Sequence, residues 1–511
     1  MRNWHLCARV GGALCAAAAA ILISTSGAEA QKRGGTLMFG SEAEFNGFNH
    51  LKARIFNQNT VTPASAVMET LFAYEGSEIK PRLGLKLEEA PDRLSAVVTL
   101  RQGVKFHDGT PFNADAVVYH YGRLMAPKSG VNTSMLRPIK AVEKVDDNAV
   151  RFVLAHPWTA LQSALALEHL LNLIGSPTAL ENDPEGFHRK PIGTGPFMVK
   201  EWRAGDRLEL VRNPNYWEAG LPYLDGVTYR ILPDGNTRYQ SVKSGEVHIT
   251  PMDNAGHILD AEKDGHLKLI KHEGSGALTW NFNHTKEPFT DARVRAAVVH
   301  SIDTKAISNT FYLGTSRVAT GLLSPASGWS CPNLEWRGYD PAKAKALLKE
   351  VGKPVKFTIT AVNNPNSRRM ASILQQFTQA VGMDVDIRLV EQSQNVRVGV
   401  TGDYQMDVWR FTDFGGDPDL LLTYYFSRKG GTPVTRHDAG KIDPLLDEAR
   451  VSSDRKKRQE LYCQVAKAVS DDAIFLMPNW LSYHIISQPF VRNVPPILNN
   501  ITRVRAVWLD K

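Results

Sequence analysis

Apolar and polar positions alternate with a period of two through much of the first half of the chain. Val142 and Val145, the turn Asp146-Asp147-Asn148, then Val150, Phe152 and Leu154 predict a half-buried hairpin. Phe197 and Val199, the turn Arg203-Ala204-Gly205-Asp206, then Leu208 and Leu210 predict another, and Val227, Tyr229 and Ile231 a further strand. From about residue 290 the spacing changes to helices alternating with strands. Asp340 is placed to cap a helix that opens on Pro341, buries Leu347, Leu348 and Val351, and stops at Gly352. A second helix carries Met370, Ile373, Leu374, Phe377 and Val381 and stops at Gly382, and the strand Val385, Ile387, Leu389 follows. A strand around Met406 and Val408, a helix over 443–469 and a buried strand at 473–478 complete an α/β second half.

The stretch GVKFHDGTPFNADAVVYHYGRLM, 103–125, joins a turn to a helix. Asp108-Gly109 and Pro111 make the turn, Asn113 caps the helix and Asp115 complements its dipole. Val117, Val118, Tyr121, Leu124 and Met125 share one face. His107 and Asp108 are adjacent and lack a third partner, so the stretch is a scaffold corner rather than a catalytic pair.

Composition narrows the compartment and size. Arg2 and Arg9, the apolar run Val10 to Ile23 and Ala28-Glu29-Ala30 give residues 1–30 the form of a cleaved secretory signal peptide. The run is too short to span a bilayer, and Leu14 before Cys15 disfavours a lipid anchor. The rest of the 511 residues exceeds the ~100–200 residues of a single domain, so two or three domains are expected. Cys331 and Cys463 remain after the leader, and their spacing leaves a disulfide and two separate thiols equally open. The net charge of +7 is spread along the chain, and its one dense basic run, 454–458, lies on a predicted helix. That distribution argues against nucleic acid as a partner.

Several segments carry a resemblance. LRQGVKFHDGTPFNADAVVYHYGRL, PIGTGPFMVKEWRAGDRLELVRNPNYW (191–217), FNHTKEPFTDARVRAAVVHSID (282–303), YDPAKAKALLKEVG (339–352) and NPNSRRMASILQQFTQAVGMDVDI (364–387) occur in that order. Together they resemble the extracellular solute-binding proteins of family 5, the oligopeptide-, dipeptide- and nickel-binding receptors of ABC importers. The resemblance implies an α/β, bilobal, periplasmic-binding-protein-like fold of type II with an extra subdomain. Lobe one would span 31–270, with an insert at about 55–185, and lobe two 271–477, with 478–511 returning to lobe one. It further implies a periplasmic, monomeric, non-enzymatic receptor without a cofactor, which hands a peptide or similar small polar solute to permease subunits and meets the membrane only through them.

A binding cleft needs aromatic walls and a few placed polar groups. The densest such stretch is DVWRFTDFGGDPDLLLTYYF, 407–426. Trp409, Phe411 and Phe414 offer flat apolar contact there, and Asp413 a carboxylate. Asp413 resembles the acid that meets the ligand's amino terminus in peptide-binding relatives, although it follows Trp409 by four residues rather than three. Asp417 in Asp417-Pro418-Asp419 has the position of a helix cap. The dipeptide-binding branch places an arginine ahead of its NPN motif, where this chain has the uncharged Thr360-Ala361-Val362-Asn363. Arg410 and Arg436 are the alternative cations for a ligand carboxylate, with Arg410 pointing opposite to Trp409 on a strand. At the expected crossing between lobes, Trp280 and Asn281 are candidates, and Glu42 and Phe45 follow the first strand of lobe one. His437 is a lone histidine in a loop, and the sequence has no HExxH or paired-cysteine motif, so no metal site is assigned. The competing classes are a secreted peptide hydrolase, a nickel-type chelate receptor, and a chaperone or sensory protein using the same cleft. No GxSxG or metalloprotease motif supports the hydrolase.

Overall fold

The computed structural model describes residues 31–511 apart from 53–57, 77, 127–133, 169, 272, 335, 413–415, 432–433 and 496–500. The expected leader, 1–30, lies outside the described residues. The chain forms two lobes, each built on its own sheet. The first sheet has seven strands in the order Lys268–Ile270, His484–Ser487, Ile249–Met252, Thr36–Ser41, Gly226–Ile231, Arg207–Arg212, Phe197–Arg203. The hairpin expected around residues 203–206 closes its edge, with Arg203 opposite Arg207. Thr36–Ser41 runs parallel to both Gly226–Ile231 and Ile249–Met252, which sets three strand ends at one edge of the sheet.

The second sheet orders Asp384–Val390, Lys356–Val362, Met406–Thr412, Glu273–Phe282 and Phe475–Leu476, with Trp480–Ser482 also paired to Glu273–Phe282. The helix Pro341–Val351 is capped by Asp340, which accepts from Lys343 N, and ends at Gly352 with φ of 71°. Helix Pro365–Gln379 stops three residues before Gly382. The chain passes between sheets twice, after Ile270 and after Ser482. Glu273 pairs with Ser482 and Ile270 with Ile485, so the two crossings run side by side as an antiparallel pair. Such a two-stranded link is suited to hinge closure.

A four-stranded antiparallel sheet, Gly84–Glu89, Ser95–Leu100, Ala149–Leu154 and Ile139–Asp146, forms a third unit that includes the predicted 142–154 hairpin. Helix Ala114–Met125 packs beside it, with Asn113 accepting from Ala116 N and Val117, Tyr121 and Leu124 buried. The turn before that helix fastens the unit to the first lobe. His107 accepts from Gly193 N at 3.3 Å through Nδ1 and donates to Gly195 O at 2.9 Å through Nε2. Gly193 is required there because a Cβ would stand 2.1 Å from Val67 O. A second fastening centres on buried Glu69, which accepts from Arg82, Tyr216 Oη (2.8 Å), Trp217 Nε1 (2.7 Å) and Thr194 Oγ1 (2.9 Å). A buried carboxylate is tolerated when its lone pairs are filled in this way.

One apolar cluster lies under the first sheet and another in the second lobe around Phe282, Phe289 and Phe357. The largest runs from the four-stranded unit into helices Pro418–Phe426 and Arg455–Asp471. Cys331 and Cys463, 132 residues apart, form a disulfide with a Cα–Cα distance of 5.6 Å. Among the described residues no helix is long and apolar enough to cross a membrane.

Candidate functional site

The carboxyl ends of the three parallel strands in the first sheet open onto one edge, the place where open α/β sheets bind ligands. Glu42 follows Thr36–Ser41, Asp253 follows Ile249–Met252, and Arg238 lies on helix Gly235–Ser244 after Gly226–Ile231. His484 pairs with Met252, which brings Tyr483, on the second crossing, level with Asp253. Burial pushes the Tyr483 phenol well above its ordinary range, with Glu42 and Asp253 adding to the shift and Arg410 and Arg238 opposing it. Arg410 belongs to the second sheet, so charges carried by both lobes act on this phenol. Half-buried Tyr312, also of lobe two, has its phenol raised by burial and then by Asp253.

The charges in this cluster differ in how they are held. Arg238 donates through Nη1 to Leu232 O (2.8 Å) and Pro233 O (2.9 Å), while its buried Nε has no partner among the described residues. Glu42 accepts from Asn59 Nδ2 at 3.5 Å. The side chains of Asp253 and half-buried Arg410 make no hydrogen bond or ion pair with another described residue. An arginine drawn partly out of water gains from an anionic partner, which a ligand carboxylate would supply.

Of the residues expected from sequence that the structure describes, Glu42 and Arg410 enter this cluster and the others go elsewhere. Phe45 is a core residue, 3% exposed, with its ring 6.0 Å from Trp202 and 6.3 Å from Tyr229. Trp280, 1% exposed, is packed inside the second lobe opposite Val408 and does not line a cleft. Phe411 is likewise core, surrounded by Tyr425, Phe426 and Phe475 at 4.8–6.0 Å. Asn281 is buried opposite Asp407, whose carboxyl is held well above the usual range by burial. Trp409, half-buried, projects away from Arg410 and lies on helix Gln392–Thr401, where a Cβ on Gly399 would come 2.7 Å from its Cζ3. Arg436 caps that helix, donating to Val400 O at 2.7 Å and Gly399 O at 3.3 Å. Asp413 and Phe414 lie outside the described residues.

Asp417 caps Pro418–Phe426 and pairs with Arg458 at 2.5 Å. Both ring nitrogens of His437 are engaged, Nδ1 by Thr435 Oγ1 (2.7 Å) and Nε2 by Phe426 O (3.1 Å). Among the described residues no group of three His, Cys, Asp or Glu could hold a metal ion. The members of this candidate cluster that sequence reasoning missed are Arg238, Asp253, Tyr312 and Tyr483. None of the four sits in a stretch with a signal of its own, because strand order alone brings them together.

The family model for bacterial extracellular solute-binding proteins, family 5 (middle), matches residues 78–433. The chain belongs to this family. It is the solute-binding component of an ABC importer. The dipeptide-binding protein of Escherichia coli K12 is 28% identical over 90% of this chain and 91% of its own length. The glutathione-binding protein GsiB of Salmonella typhi is 30% identical over 73% of this chain and 74% of its own. The fold matches that of the ABC transporter-associated periplasmic binding protein DppA from Helicobacter pylori, in complex with peptide STSA. That match has a TM-score of 0.86, covering 94% of this chain and 99% of the other at 24% identity.

Proposed function

We propose that this family-5 protein is a monomeric periplasmic receptor, exported on residues 1–30, that closes on a small zwitterionic, peptide-like solute and presents it unaltered to permease subunits. The carrying observation is the pair of charges, Asp253 on lobe one and Arg410 on lobe two, that both act on the Tyr483 phenol and whose side chains make no hydrogen bond or ion pair with another described residue. A ligand amine would sit against Asp253 and Glu42, and its carboxylate against the Arg410 guanidinium. The dipeptide- and glutathione-binding relatives are named for ligands that carry both charges. Lobe one takes residues 31–270 with the insert and the C-terminal return, and the return begins after Ser482, since Trp480–Ser482 still pairs within the second sheet. The hinge is the antiparallel pair of crossings, and ligand shifts the lobes toward closure by contacting both walls at once.

Native mass spectrometry of protein purified from the periplasm without denaturant tests this reading. Intact solute of peptide-like mass, released by acid and depleted in the Arg410→Met variant, is expected. A chain that carries no solute, or that cleaves added peptides, contradicts the receptor reading and favours the hydrolase.

A further inference from the structure

We propose that the four-stranded unit and the second lobe form a clasp that is made when the lobes close and parted when they open, so that residues remote from the solute set how long it is held. The inference rests on the receptor reading above, because it concerns the closure that reading requires. The unit is fastened to the first lobe through His107 and Glu69, whose partners Gly193, Gly195, Thr194, Tyr216 and Trp217 all lie in 193–217, the segment that carries two edge strands of the first sheet. It has no chain crossing of its own to the second lobe, which is joined to the first after Ile270 and after Ser482. Rotation about those paired crossings therefore shears the face where the unit meets the second lobe.

The contacts on that face can part at little cost. At its rim, Arg93 Nη1 donates to Val451 O (2.9 Å), Thr159 N to Arg450 O (3.1 Å) and Thr159 Oγ1 to Ser452 O (2.8 Å), while Arg93 Nη2 donates to Thr159 Oγ1 (2.6 Å). The acceptors are end carbonyls of helix Asp443–Val451, which have no partner inside their helix and which water satisfies once the rim opens. Deeper in, Leu420 stands among Met135, Leu136, Leu167 and Leu171 of the unit, and Trp158 Nε1 donates to Asp419 at 2.8 Å. The charges buried beside this apolar contact are neutralised on the second lobe's own side, Asp419 by Arg450 and Asp417 by Arg458, so parting strands no ion. Burial of Trp158 and Leu420 against each other's unit belongs to the closed arrangement and shifts the balance towards it. Apparent affinity scales with the fraction able to close, so the clasp strengthens binding without touching solute.

Spin labels on exposed positions, Lys140→Cys of the unit and Lys456→Cys of the second lobe, read the separation by double electron–electron resonance in the full mature protein, as purified and after acid stripping. A near separation is expected as purified and a second, wider one after stripping. Thr159→Val, which removes the hydroxyl that links Arg93 to Ser452, should lose the near separation about fivefold faster on dialysis, the worth of one hydrogen bond, and Thr159→Ser should keep the parent's rate. A single separation that stripping leaves unchanged, or a Thr159→Val rate equal to the parent's, overturns the proposal. Mass spectrometry of the acid eluate tests the receptor reading separately. An eluate with no solute removes that reading, and the clasp is then decided by the separations alone: two in the untreated protein uphold it and one overturns it.

Discussion

The Asp419–Arg450 pair gives the sharpest test of how the four-stranded unit is joined to lobe two. Both side chains are almost fully buried, and Asp419 accepts from Arg450 Nη2 (3.1 Å), Arg450 Nε (3.3 Å), Thr423 Oγ1 (3.1 Å) and Trp158 Nε1 (2.8 Å). Replacing Asp419 by Ala leaves a buried guanidinium without its main counter-ion. Breaking a buried pair from one side costs about 3–5 kcal/mol. Arg450 keeps Asp447 at 2.6 Å and Thr423 Oγ1 at 2.7 Å, which places the ionic loss near the lower end. The Trp158 N–H left without an acceptor adds about 1 kcal/mol, for a total of about 4 kcal/mol. A cooperative unit of about 150–250 residues loses about 2–4 °C of Tm per kcal/mol, so Asp419→Ala should melt about 8–16 °C below the parent in calorimetry. Removing both charges with Asp419→Leu/Arg450→Met should recover more than half of that loss, since an apolar pair of similar volume suits the site. A single-variant loss of under about 1 kcal/mol, or a double variant as unstable as the sum of its parts, would refute the reasoning.

Arg410→Met should weaken solute binding by about 10- to 150-fold, the worth of a charged hydrogen bond, with Tm unchanged because no described partner is orphaned; a change below about threefold by calorimetry excludes Arg410 from the site. Burial lowers the His50 pKa to about 4 and holds His120, its ring 4.9 Å away, well below 6.5. The unfolded chain therefore binds more protons between about pH 6.5 and 4, and stability is full above that window and lost as pH falls through it. For His50 alone the loss is about 3 kcal/mol, read as Tm against pH, and a His50→Gln variant with the same slope as the parent contradicts it. Reducing the Cys331–Cys463 bond, which closes a span of 132 residues, should cost about 3–5 kcal/mol, and two titratable thiols in the unreduced, denatured mature protein would show that the bond is absent.

Local features of this fold were legible in the sequence, because caps, turns and periodicity act over a few residues. Asp340, Pro341 and Gly352 delimit a helix, the 142–154 and 197–210 hairpins form at their expected turns, and Asn113 caps the corner helix. The strand Lys356–Val362 was missed although Phe357, Ile359 and Ala361 are buried on one side of it. The site was far less legible. An aromatic such as Phe411 or Trp280 on a strand looks the same whether it lines a cleft or fills a core, and here both fill cores. Asp253 and Tyr483 are 230 residues apart in sequence, and only the pairing of Ile249–Met252 with His484–Ser487 makes them neighbours. Opposite faces of one strand separated Trp409 from Arg410 as alternation requires, and the charged residue, not the aromatic one, is the one whose charge reaches Tyr483.

A crystal structure of the protein bound to the solute it retains from the periplasm bears most directly on the account. One ligand molecule touching Asp253 of the first lobe and Arg410 of the second, with Tyr483 between them, is the predicted result. A ligand seated wholly on one lobe, or held by residues remote from that trio, would contradict it.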